Sequence, residues 1–385
     1  MKVALLSMQK ISPEEAGADG FAPGGLLAWQ KAELLQTVAL ALHMRDSGSF
    51  DPVIMCMAGS ELERQAINLG LPHFSARNER DLSFLFRVWQ WQRKQQTLLL
   101  LANGEISLPL AGKILFMRRR RHVLFVPAFF LRFPQFAGRQ ITMLRRSGTI
   151  ICGSDLIRDD LAGRLAREKK MGEHHYIVHP PGLDLGLYSP DTAVYDDKCR
   201  NEGRHFVFGM AESLSPHSGA LLVVRAMSAI WQTENLPPWE IRMFGSGPRM
   251  DEIMGEAASL GVLSRLSMLG DQFPASASAQ CHVWLAAGTA RVELPEVMGN
   301  AAASGLPLVC SSSRLHREWL NYMPVNVSLE IEKENPQELA RAMLDLMRDS
   351  ELRERLATAS HELRAHVGVG EMAAKICAAL EQLLL

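Results

Sequence analysis

Glycines placed between an apolar run and a helical repeat are the first residues here whose types and spacing suit chemistry. Gly24 and Gly25 stand between a run at 2–7 and a long helical pattern at 26–45. Gly245, Gly247 and Pro248 separate a run at 240–244 from a pattern at 248–260. A glycine loop that opens a helix offers bare N–H groups and the positive end of the helix dipole, which suit a phosphate. The same residues serve equally as tight strand-to-helix turns, and Pro248 reads best in that role. Leu294, Pro295, Glu296 and Val297 open a further helical pattern, and Glu296 in its first turn suits the dipole with no ligand at all. Asn103 and Glu105 follow a strand-like run, where they either face a cleft or cap a helix.

The elements that must position these residues are read from periodicity. Short apolar runs at 2–7, 52–57, 97–102, 122–128 and 149–152 alternate with helical patterns at 26–45, 59–69, 81–95, 108–120 and 155–168. Gly153-Ser154-Asp155 could cap the last of these. A polar stretch at 190–204 reads as a linker, after which the pattern restarts. Strands are expected at 205–210, 240–244, 265–269, 282–285 and 307–310, with helices at 218–232, 248–260, 295–304, 313–320 and 336–347. Residues 350–385 read as helical throughout, with Gly368 and Gly370 as a possible break. Alternating strands and helices predict parallel sheets and an α/β chain in two domains, 1–190 and 191–385, the last helix packing back on the first.

Composition narrows the classes. At 385 residues the chain has room for two domains, and 47% hydrophobic with 22% charged residues is ordinary for a globular protein. The six cysteines are scattered with no metal-ligand spacing, so they read as core residues in a reducing compartment and no metal is expected. The opening MKVALLSMQK turns polar too soon for a signal peptide, and no run approaches the roughly 18 apolar residues of a membrane span. A cytoplasmic protein is expected. Its net charge of −1 hides an asymmetry, with 24 basic against 17 acidic residues in 1–190 and 17 against 25 in the remainder. Arg118, Arg119, Arg120 and Arg121 precede the aromatic run HVLFVPAFFLRFPQF. That pairing suits docking on an anionic membrane; it also suits a buried strand beside a solvated helix end. No recognised nucleic-acid module accompanies the charge.

Five blocks of the second half stand in order: HPPGLDLGLYSP (179–190), ESLSPHSGALLVVRAM (212–227), FGSGPRMDEI (244–253), LSMLGD (266–271) and ELPEVMGNAAASGLPLV (293–309). Together they resemble the family-4 (group 1) glycosyltransferases, over roughly 150–320 well and over the first 150 residues through Gly24-Gly25. The resemblance implies a GT-B fold of two Rossmann-like domains facing across a cleft. It also implies a retaining, metal-independent transferase that moves a sugar from a nucleotide-sugar donor to a glycan or lipid-linked acceptor, in cell-surface polysaccharide or lipopolysaccharide assembly. No cofactor is implied beyond the nucleotide-sugar co-substrate. It places Gly24-Gly25 over the donor diphosphate, Gly245 and Gly247 beside the donor pocket, Leu269 and Gly270 beside the nucleobase, and Pro295 to Val297 at a helix end facing the donor.

The sequence departs from that pattern where charge is needed. The family's two glutamates fall at Val292 and Asn300, leaving Glu293 one residue late as the candidate catalytic carboxylate. Its Arg and Lys on the diphosphate fall at Ser213 and Ser218, and a serine donates one hydrogen bond without neutralising a diphosphate. His217 and Arg249 are nearby polar groups. Phe129, Phe130 and Leu131 stand where the family has an acceptor-side histidine. A binding or scaffolding pseudoenzyme, and a sugar-nucleotide epimerase, therefore remain as alternative expectations.

Overall fold

The computed structural model describes residues 1–8, 26–78, 80–95, 98–104, 107–116, 123–129, 144, 147–166, 174–188, 205–212, 214–216, 218–272, 274–288, 294–321 and 328–383. The chain forms two compact units, one holding the first strand, residues 29–182 and 369–385, the other residues 183–368. The linker expected at 190–204 lies outside the described residues.

In the first unit, β1 (Lys2–Leu6), β2 (Asp51–Met57), β3 (His73–Ala76), β4 (Leu98–Asn103), β5 (Val123–Phe129), β6 (Thr149–Cys152) and β7 (His175–Val178) form one parallel sheet. Its order is β3-β2-β1-β4-β5-β6-β7. The crossovers are α1 (Leu26–Ser47), α2 (Glu61–Asn68), α3 (Leu82–Arg93), α4 (Leu108–Phe116) and α5 (Asp155–Ala166). Val3 to Leu6 are fully buried, as unbroken apolar strands are when helices cover both faces of a sheet. Helix starts are fixed locally: Ser60, Asp81 and Ser154 accept the backbone N–H of Glu63, Phe84 and Ile157. The Ser154 cap is the one the sequence suggested.

In the second unit, β8 (Phe206–Ala211), β9 (Trp239–Phe244), β10 (Leu266–Met268), β11 (Val283–Ala286), β12 (Leu308–Ser311) and β13 (Ser328–Ile331) are again parallel, ordered β10-β9-β8-β11-β12-β13. Its helices are α6 (Ala220–Ile230), α7 (Met250–Ser259), the short α8 (Pro274–Ser278), α9 (Leu294–Ala303), α10 (Arg314–Asn321), α11 (Pro336–Arg348) and α12 (Ser350–Leu363). Alternate strand residues feed two cores. Phe208, Ile241 and Leu285 meet α6 and α11 on one face; Ala211, Trp284 and Cys310 meet the alanines of α9 on the other. Gly209 lies under the Trp284 ring, where a Cβ would come within 2.9 Å of it. The chain closes with α13 (Val369–Gln382), after a break at Gly368; Gly370 lies inside that helix.

The expected elements recur within a few residues, but β3, β7 and β13 were not foreseen. Each is a sheet edge of four residues, HFSA, HYIV and SLEI. An edge strand is half solvated and mixes polar with apolar side chains, so it carries no apolar run to read.

Candidate functional site

In a doubly wound sheet, ligands bind beyond the carboxyl ends of the strands, where the strand order reverses. In the second unit that place lies between β8 and β11, since the chain runs from β8 outward through β9 and β10, then returns to β11 and proceeds through β12 to β13. Four turns meet there. Leu214 N–H donates to the Ser246 carbonyl at 3.0 Å and Arg249 N–H to the Leu214 carbonyl at 3.1 Å. Gly245 N–H donates to the Gly270 carbonyl at 2.8 Å, and the Ser246 hydroxyl reaches Asp271 at 2.8 Å.

Glycine makes this convergence possible. Gly245 has φ +144°, and a Cβ on it would stand 2.1 Å from the Glu212 carbonyl oxygen. A Cβ on Gly247 would stand 2.6 Å from the Leu214 carbonyl oxygen, and one on Gly219 2.4 Å from the Ala287 carbonyl carbon. Each neighbour is main chain and cannot swing aside, so a bare Cα is required.

The structure therefore brings together Ser218, Gly245, Gly247, Leu269 and Gly270 of the sequence candidates. Ser218 accepts the Ala220 N–H at 3.1 Å, so its hydroxyl serves the start of α6. Leu269 is exposed beside Gly270, which has φ +66°. Arg249 grips Glu252 through two nitrogens and reaches the Pro216 carbonyl at 3.3 Å. That contact with Glu252 raises the Arg249 pKa further and lowers that of Glu252. Asn300 is 3% exposed and its side-chain oxygen accepts the Tyr188 hydroxyl, so that end of the amide is used inside the unit. Pro295, Glu296 and Val297 lie in the first turn of α9, with their side chains outside the description. Gly24, Gly25, Ser213, Glu293 and Arg118 to Arg121 lie outside the described residues.

Three participants were not singled out by the sequence reading. Glu212, directly after β8, is 3% exposed and accepts the Gly219 N–H at 2.9 Å. Gly288, two residues past β11, lies against that carboxylate, 2.7 Å from where its Cβ would be. Ser311, at the end of β12, donates to the Gly288 carbonyl at 2.8 Å and carries the fully buried His316 behind it. Burial lowers the His316 pKa to about 4, so the ring is neutral. Only the acid immediately following a buried strand was available as a signal for Glu212, and that alone is weak.

The first unit answers differently at its own reversal, between β1 and β4. Asn103, expected to face a cleft or cap a helix, is 1% exposed and donates to the Glu33 carbonyl and the Thr37 hydroxyl, both at 3.0 Å. It ties α1 to the sheet, and Met8 N–H donates to Ser107 at 3.1 Å beside it. The sulfur atoms are structural too: Cys56, Cys152, Cys281, Cys310 and Cys377 are buried and unpaired with one another. Among the described residues no cluster of His, Cys, Asp and Glu could hold a metal ion, and no helix is long and apolar enough to cross a membrane.

Comparison with known proteins fits this architecture. Residues 205–349 match the model of the family described as Glycosyl transferases group 1. No curated protein sequence matches the chain. Among solved structures, HepE of Anabaena in complex with UDP and glucose superposes with a TM-score of 0.66 at 18% identity, covering 99% of this chain and all of that one. A glycosyltransferase from Rickettsia africae ESF-5 gives 0.68 at 11% identity, covering 100% and 98%. The apo form of the lipopolysaccharide outer core galactosyltransferase WaaB gives 0.61 at 12%, covering 98% and 100%. The chain thus shares the GT-B fold of two parallel Rossmann-like sheets with these proteins, and its segment 205–349, which contains the β8–β11 site, is similar to the group 1 glycosyl transferases.

Proposed function

We propose that the chain transfers a sugar from a nucleotide-sugar donor, with retention of configuration, to a glycan or lipid-linked acceptor in cell-surface polysaccharide or lipopolysaccharide assembly. The observation that carries the reading is the meeting of four turns at the strand reversal of the group 1 segment. The UDP bound to HepE and the lipopolysaccharide acceptor class of WaaB support donor and acceptor respectively. In this reading the nucleobase lies along Leu269-Gly270, the diphosphate meets Gly24-Gly25 and the first turn of α9, and Glu293 is the carboxylate nearest the sugar. No metal or further cofactor takes part. Calorimetric titration of UDP-, GDP- and ADP-sugars, with nucleotide release followed with and without acceptor, tests it. Binding by one donor and acceptor-dependent release are expected; binding by none would end it.

A second reading, a binding or scaffolding partner without turnover, has an observation of its own. Ser218 serves a helix start, Arg249 is committed to Glu252, and a buried carboxylate occupies the same turn. Donor binding without release would favour it.

Peripheral attachment at the inner membrane face belongs to the same proposal. Helix α3 supports it with an outward stripe in which Leu82 is 78% and Phe86 56% exposed. Phe86 stacks on Trp89, and Arg93 lies over that ring at 4.7 Å. Co-sedimentation with anionic liposomes should weaken when the charges at Arg118 to Arg121 are removed, or when Phe86 and Trp89 become Ala. Sedimentation unchanged in both variants would exclude these surfaces.

A further inference from the structure

Residues 183–188 open the second unit and are fastened to α9. Leu183 N–H donates to the Val367 carbonyl at 2.8 Å, and Leu183 pairs with Gly368 in a parallel bridge. Asp184 starts the short turn Leu185–Leu187 by accepting the Gly186 N–H at 3.0 Å. Arg364 then joins that turn to the helix. Its Nη2 donates to the Leu185 and Tyr188 carbonyls, both at 2.8 Å, and its Nη1 donates to the Ala303 carbonyl. Ala303 ends α9, so the guanidinium takes a carbonyl that has no partner within the helix. Leu183 packs on Gly299 of the same helix, its Cδ1 3.0 Å from where a Cβ would be.

Tyr188 makes the one attachment that reaches a side chain of α9. It is 7% exposed, in the core that holds Met298 and Ala301 to Ala303, and its hydroxyl donates to Oδ1 of Asn300. A primary amide has one accepting end and one donating end. With the oxygen taken by Tyr188 the amide is oriented, and the NH2 group is the end left to offer. Among the described residues nothing accepts from that nitrogen. A carboxylate at this position would accept from a hydroxyl group; the oriented amide donates to a hydroxyl oxygen instead.

We propose that Tyr188 is a positioning residue of the donor site, its hydroxyl fixing the Asn300 amide so that the NH2 group donates to a ribose hydroxyl oxygen of the nucleotide. This rests on the donor reading given above, in which the ribose lies between a base along Leu269-Gly270 and a diphosphate at the first turn of α9. Asn300 stands about 9 Å along that helix from Leu294.

The test is calorimetry on the full chain with UDP and GDP and with their 2′-deoxy and 3′-deoxy forms. The unsubstituted protein should bind the ribonucleotide at least about fivefold more tightly than one of its deoxy forms, as one directed hydrogen bond allows. A ratio under about twofold for both forms would overturn the proposal. Tyr188→Phe removes the hydroxyl and keeps the ring in the core. It should bring that ratio to within about twofold of unity, with affinity for the deoxy form within about twofold of the unsubstituted protein. An unchanged ratio in the folded variant removes the proposal and leaves the donor reading intact. Tyr188→Phe combined with Asn300→Leu should lose no more of the ratio than Asn300→Leu alone; additive losses would show that the two residues act separately and overturn it. Arg364→Lys, which loosens α9 as a whole, should weaken ribonucleotide and deoxy form alike. A collapse of the ratio there would assign the effect to helix placement and overturn the role of the Tyr188 hydroxyl. If no nucleotide binds any of these proteins, the donor reading falls and the proposal with it.

Discussion

The two strand reversals of this molecule solve one problem with different materials. In each, a carboxylate packs against a glycine that follows a buried strand. Glu33 lies 2.6 Å from where a Cβ of Gly104 would be, and Glu212 2.7 Å from that of Gly288. In the first unit the acid comes from a helix, and a side chain, Asn103, binds that helix to the sheet. In the second the acid leaves the strand itself, and main chain from three turns clamps it. A side-chain joint yields to change, whereas a main-chain joint does not. The second unit is therefore the one whose turns admit no drift in shape.

The sharpest way to break that comparison is a pair of methyl groups. Gly219→Ala drives a Cβ to 2.4 Å from one backbone atom and 2.6 Å from another, and should cost about 3 kcal/mol or more in urea unfolding. Gly104→Ala meets only the end of the Glu33 side chain, though at φ +72°, and should cost about 1–2 kcal/mol. Equal losses would show that both joints are rigid.

Acid separates the units next. His316 has a folded pKa of about 4, below its unfolded value near 6.5, through burial. The unfolded chain binds the proton first, so stability is lost as pH falls from about 6.5 towards 4, by about 3 kcal/mol from this ring. His316→Gln should flatten that part of the profile; an unaltered slope would remove the ring as its cause. The His179 pKa of the first unit is lowered in the same direction by burial, opposed by its bond to the Pro180 carbonyl.

Asn103→Ala should cost about 2 kcal/mol, since two buried hydrogen bonds go and their partners stay. A loss under about 0.5 kcal/mol would mean that α1 is held by apolar contact alone. The smallest effect concerns the thiols. Burial pushes Cys56, Cys152, Cys310 and Cys377 up to about 12, so native protein at pH 8 should react with a thiol reagent only as fast as it opens. Rapid labelling of any of these four would show that its segment opens far more readily than the buried strands and helices around it.

Much of the fold was legible because central strands are apolar on both faces. The runs at 149–152 and 307–310 recur as β6 and β12 almost to the residue. Three of the four edge strands, β3, β7 and β13, escaped for the opposite reason, while β10 was expected at 265–269. At the site, Gly245 and Gly247 were readable because main-chain contact leaves a glycine in the sequence. The uses of Asn103, Ser218 and Asn300 were not, since an amide or hydroxyl has the same letter whether it meets a ligand or a backbone neighbour.

The sequence by itself determined two parallel α/β units and the order of the turns along the second, because periodicity and glycine spacing are local properties. Only the tertiary structure decided that Glu212, Gly219 and Gly288 share one place, residues up to 76 positions apart in the chain. That meeting follows from strand order, which sets β8 beside β11 through contacts no local pattern encodes. Charge at the site depends on that meeting, so the chemistry there is decided by the fold.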